Sequence, residues 1–87
     1  MGRPTITVLI DLPAADPSHR ATVTALGHAV EASGRPIELR LVGTGAVVVD
    51  DLGDGVVIGP GSPYRDPAAA EAVIRSARER GVPLVGT

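Results

Sequence analysis

Residues 58–67 read IGPGSPYRDP, with Gly59, Pro60, Gly61 and Pro63 crowded around Ser62 and Tyr64, the one aromatic residue of the chain. An apolar run precedes this stretch and an alanine-rich run follows it. Glycine lets a backbone N–H come close to a ligand, and proline stiffens the segment that carries it. The free N–H groups and the dipole of a helix beginning just beyond would favour negative charge there. Such a loop can hold an anion, or the oxyanion of an acyl-transfer intermediate, with donors fixed in advance. A plain strand-to-helix turn draws on the same residue types, so spacing alone leaves both readings open.

Other groups able to do chemistry are sparser. Asp50 and Asp51 end the run VVVDD, and Asp11 follows the apolar run 5–10. Acidic strand ends of this kind build phosphoacceptor sites, but the chain has no lysine to complete one, since all eight basic residues are arginine. These carboxylates are read as solvated turn residues. Gly43-Thr44-Gly45 is a piece of a glycine-rich phosphate signal, without a third glycine or a clear following helix. His19 and His28 have no cysteine partner and no metal-ligand spacing, and are read as surface residues. With no cysteine, these residues can form no disulfide, no thiolate metal site and no cysteine nucleophile. No metal or cofactor is expected.

The 87 residues are enough for one small domain. They are 44% hydrophobic and 21% charged, yet contain neither Phe nor Trp. Packing must come from Val, Leu, Ile and Ala, which implies a weak core or one completed from outside the chain. The formal net charge is −2, and the basic residues form no cluster beyond the spaced Arg75, Arg78 and Arg80. No nucleic-acid partner is therefore expected. The N-terminal apolar run is broken by Asp11 and Pro13, too early for a secretion signal or a membrane span. A cytoplasmic protein without a membrane partner is the expectation.

The elements that would position the loop follow from pattern. TITVLI (5–10) reads as a strand buried on both faces, as parallel sheets require. Asp16-Pro17 looks like an N-cap with proline at the first helical position. Val23, Leu26 and Val30, with Ala29 beside them, then define one helical face, and Gly34 ends it. PIELRLV (36–42) alternates, as a half-buried strand near a sheet edge does. Val47–Val49 fits either a short strand or a packed connector, and Asp54-Gly55 a turn feeding a third strand, 56–59. Asp66-Pro67 repeats the cap, Ala70, Val73, Ile74 and Ala77 form the next apolar face, Glu71 and Arg75 are placed as an i, i+4 pair, and Gly81 ends the helix. VPLVG (82–86) is a fourth strand. The alternation predicts a partial α/β domain over 1–87: a flavodoxin-like or Rossmann-like three-layer parallel sheet of about four strands and two helices. Strands one, three and four should lie side by side, with strand two outermost beside strand one.

The runs DGVVIGPGSPYRD (54–66) and AVIRSARERGVPLVGT (72–87) resemble the class I glutamine amidotransferase domain of CTP synthase, and most closely the proteins called CTP-synthase C-terminal-region-related. There an Asp-Gly, a buried strand, a Pro-Gly-Gly loop, a helix with Ala-Arg near its end and Gly-(Val/Ile)-Pro follow one another. The related proteins carry PGSPYR at the loop, and HRATVTALGHA (19–29) is similar to their first helix. The likeness runs from Thr5 to Thr87 and is least at 43–53.

The resemblance implies that the loop supplies a backbone N–H to the oxyanion hole that holds the glutamine amide carbonyl. Pro60 and Gly61 match the family directly; Ser62 stands for its second glycine and Pro63 for the aromatic residue of CTP synthase. In the family, the strand matching VPLVG runs into a nucleophile elbow whose cysteine follows directly, and the His and Glu of the triad come later. Here Gly86-Thr87 are the last residues and none of those three has a counterpart. The expectation is the N-terminal half of an amidotransferase-like domain: a candidate oxyanion loop (Pro60, Gly61, Ser62), a glutamine-like small molecule as the parent family's ligand, a family role in pyrimidine biosynthesis, and no turnover by these residues alone. The other reading is a small non-catalytic α/β domain that binds a ligand or a partner chain. In either case strand 82–86 is expected to be open to self-association.

Overall fold

In a computed structural model of the chain, which describes residues 3–59 and 64–86, six elements alternate: β1 (Thr5–Leu9), α1 (Pro17–Ser33), β2 (Glu38–Val42), β3 (Gly55–Ile58), α2 (Pro67–Arg80) and β4 (Leu84–Gly86). The four strands form one wholly parallel sheet in the order β2-β1-β3-β4. This is the expected α/β architecture, compatible with a partial flavodoxin-like fold, and strand two is outermost beside strand one as its alternation implied. The order changes direction between β1 and β3, so connections leave the carboxyl ends of these two neighbours toward opposite sides. Val47–Val49 forms a connector, not a strand, with Val47 and Val49 packed against the core.

Both helices start and stop where local chemistry dictates. Asp16 caps α1 by accepting from the Ser18 N–H at 2.8 Å, and Asp66 caps α2 by accepting from the Ala69 N–H at 3.0 Å. A proline follows each cap, at a helical position whose N–H has no partner to lose. Gly34 and Gly81 close the helices in the left-handed conformation, at φ 68° and 70°.

The core lies mainly on one face of the sheet. Leu9, Val56 and Ile58 meet Ala70, Val73 and Ala77 of α2, with Leu52 of the connector beside them. Val8 and Ile10 are also buried but stand outside that cluster, as the alternation of strand side chains requires. They face the layer of α1. That layer is thinner: Val23, Leu26 and Val30 of α1 are half-buried, and no residue of the helix is fully buried. The register sets Leu41, Val8, Val57 and Val85 in one row across this face, and the ends of the row emerge, Leu41 at 39% and Val85 at 61% exposed.

Two expectations for α2 need correction. Ile74 is 39% exposed, because α2 presents Ala70, Val73 and Ala77 to the sheet and Ile74 falls at the margin of that stripe. Glu71 and Arg75 make no ion pair; the ion pairs among the described residues are Arg40 with Asp51 at 3.4 Å and Arg80 with Asp50 at 2.7 Å. Among the described residues, no helix is long and apolar enough to cross a membrane.

Candidate functional site at the carboxyl ends of the strands

In open α/β sheets, ligands sit beyond the carboxyl ends of the strands where the strand order reverses. Here that place lies between the ends of β1 and β3. Pro60, Gly61 and Ser62, the residues singled out from the sequence, lie outside the described residues, but both flanks of their segment are described. On the near side the Gly59 N–H donates to the Leu9 carbonyl at 2.8 Å. A Cβ on Gly59 would stand 3.2 Å from that oxygen and 3.4 Å from Ile10 Cβ, so any other residue would press the two strand ends apart by a few tenths of an ångström. On the far side Tyr64 turns its ring onto the core cluster, and its hydroxyl donates to the Gly59 carbonyl at 3.2 Å. The aromatic residue therefore ties one end of the segment to the other.

Asp11 is the hub of this end of the molecule. Its Oδ1 accepts from the Thr44 N–H at 2.8 Å, and its Oδ2 accepts from the Thr44 hydroxyl at 2.7 Å and the Arg65 N–H at 2.8 Å. Thr44 is 2% exposed, and its oxygen also accepts from the Asp66 N–H at 3.0 Å. One carboxylate thus joins the start of the β1–α1 connection to the 43–44 turn and to the entry of α2. The reading of Asp11 as a solvated turn carboxylate is overturned: it is half-buried and takes three hydrogen bonds from residues 33 and 54 positions away. Desolvation raises its pKa, but the Thr44 and Arg65 N–H groups, the Thr44 hydroxyl and the Arg65 charge outweigh it, and the carboxyl is held below its ordinary value. Gly43 permits the arrangement, since a Cβ there would stand 3.0 Å from Asp11 Oδ1.

The other candidates separate. Asp50 and Asp51 are exposed, as read from the sequence, and each pairs with an arginine at the connector. Thr44 of the Gly-Thr-Gly fragment gives both its N–H and its hydroxyl hydrogen to Asp11. His28 is exposed, whereas His19 is half-buried with Nδ1 3.0 Å from the Leu12 carbonyl. A carbonyl can only accept, so Nδ1 carries the hydrogen. Among the described residues no three of His, Asp and Glu come together to hold a metal ion. A shallow hollow of about 530 Å³ along Pro17, Arg20, Ala21, Thr24, Ala25 and His28 lies on the outer side of α1, not between the strand ends.

Sequence reasoning missed Thr44 and Arg65 as partners of Asp11. Their spacing carries no periodic signal; only the strand order, once drawn, brings 11, 44 and 65 to one end of the sheet.

No protein-family model, curated protein or solved structure matches this chain.

Proposed function

We propose that these residues form the N-terminal part of a glutamine amidotransferase-like domain of the CTP-synthase type. In that class, glutamine hydrolysis supplies ammonia for the amination of UTP to CTP. The observation that carries the reading is the pairing of Ile58 with Gly86 across β3 and β4. It brings the carboxyl ends of β3 and β4 level with each other, and in this reading the loop follows the first of these ends and the elbow the second. That is the juxtaposition an oxyanion loop needs beside a nucleophile elbow. In this reading the loop, with Pro60 and Gly61 as the direct matches and Ser62 in place of the second glycine, would supply a backbone N–H to the amide carbonyl. The thiolate, base and orienting group have no counterpart in the 87 residues, which contain no cysteine.

Two measurements test this. The chain incubated with glutamine should release no ammonia above a heat-killed control; turnover would overturn the assignment of chemistry to a missing nucleophile. The nucleotide sequence after the Thr87 codon should encode Cys-Gly-Gly in one of its three frames. An unrelated sequence in all three would overturn the parent-domain reading.

The second reading is a non-catalytic domain whose partner docks on β4. It is favoured by Leu84-Val85-Gly86, an edge without a charged residue whose Val85 is 61% exposed. The partner in that reading is a second copy of the chain, joined through strand 82–86.

A further inference from the structure

We propose that the ionised Asp11 carboxylate is a local latch that closes the loop-bearing end of the sheet. It holds the 43–44 turn and the 64–66 entry to α2 in place, while the sheet itself folds without it. All three groups that meet Asp11 are donors: the Thr44 N–H, the Thr44 hydroxyl and the Arg65 N–H. Only a carboxylate can accept from all three on two oxygens. An asparagine keeps one acceptor oxygen and turns an NH2 group toward the remaining donors, so it loses part of the arrangement whichever way it is oriented.

The latch reaches beyond its own contacts. Because the Thr44 hydroxyl donates to Asp11, its lone pairs face the Asp66 N–H, and that bond settles the residue whose side chain caps α2. Asp11 thereby fixes Arg65 directly and Asp66 through Thr44, on the far flank of the PGSPY segment. The sheet does not share this dependence. β1 is pinned to its neighbours by backbone bonds, Ile10 N–H to Val42 carbonyl at 2.9 Å and Gly59 N–H to Leu9 carbonyl at 2.8 Å, and by the buried Val8 and Leu9. The latch acts whatever ligand the segment meets, so it stands apart from the amidotransferase reading.

Amide hydrogen exchange followed by NMR on the 87-residue chain tests it. In Asp11→Asn, protection at Thr44, Arg65 and Asp66 should fall tenfold or more, to little or none, while Val8 and Val56 stay strongly protected and lose no more than the drop in global stability read from urea unfolding. Unchanged protection at Arg65 and Thr44 would overturn the latch, and so would a loss of protection at the core amides beyond that global drop, which would mean that Asp11 supports the whole fold and not one end. Should Asp11→Asn fail to fold, Thr44→Val separates the two arms. It should expose the Asp66 amide and leave Arg65 protected, and Thr44→Ser should restore Asp66. Protection at Asp66 that ignores Thr44→Val would overturn the relay.

Discussion

At the scale of single residues, Asp11 is the position where chemistry and stability meet. Removing a charged acceptor from three donors leaves partly buried groups unsatisfied, at a cost of about 1–3 kcal/mol. Asp11→Asn should therefore lower the urea midpoint at neutral pH without changing the slope of the transition. The pH dependence has a definite sign. The folded-state pKa of Asp11 lies below the ordinary value of 3.8, so its contribution is complete above that value and is lost as pH falls below it. The gap in stability between the parent and Asp11→Asn should be widest near neutrality and close progressively below about pH 4. A gap that stayed constant from pH 7 to pH 3 would show that the carboxylate charge contributes nothing. Gly43→Ala offers an independent check. Its Cβ would press on Asp11 Oδ1 from 3.0 Å, so the variant should reproduce part of the loss with the carboxylate still in place.

At the scale of elements, the two helices are held to different degrees. α2 buries Ala70, Val73 and Ala77, whereas α1 buries no residue fully. Val73 is 0% exposed within the core cluster, so Val73→Ala should cost about 2 kcal/mol from lost transfer energy and the cavity left behind. Ile74→Ala, one position along at a 39% exposed site, should cost well under half of that in the same unfolding measurement. The contrast also shows what could be read in advance. Asp16-Pro17 and Asp66-Pro67 were legible as helix starts because capping is a local transaction between a side chain and the next few N–H groups. The place of β2 was legible because the alternation IELRL marks an edge, and those of β1 and β3 because continuous apolar runs mark an interior. Ile74 was misplaced because periodicity shows which side of a helix is apolar, not how far around it the sheet reaches. Asp11 was misplaced because its partners, Thr44 and Arg65, are neighbours only through the fold. The 43–54 connector, with its valines and glycines, satisfies strand and loop patterns equally, and only its packing against Ser76, whose hydroxyl donates to the Val49 carbonyl, decides the matter.

At the scale of the whole molecule, the two edges of the sheet are unlike. β2 carries Glu38 and Arg40 along its edge, and charge is one of the ways by which natural sheets discourage stray pairing. β4 carries Leu84, Val85 and Gly86, with no charge. Sedimentation over a wide concentration range should therefore show self-association of the chain, and Val85→Lys should abolish it. A monomer that is compact at all concentrations would show that β4 needs no partner. The placement of β1 in the interior of the sheet has a further consequence, for how the chain comes into being. β1 is made before either of its neighbours, yet β2 ends at Val42 and β3 at Ile58. At about 5–20 residues per second, a translating ribosome leaves TITVL without its second flanking strand for some seconds after Leu9 is joined. A nascent chain in that interval displays an apolar β segment with at least one edge unsatisfied, a natural target for a chaperone, until β3 arrives and Asp54 exchanges hydrogen bonds with Thr5.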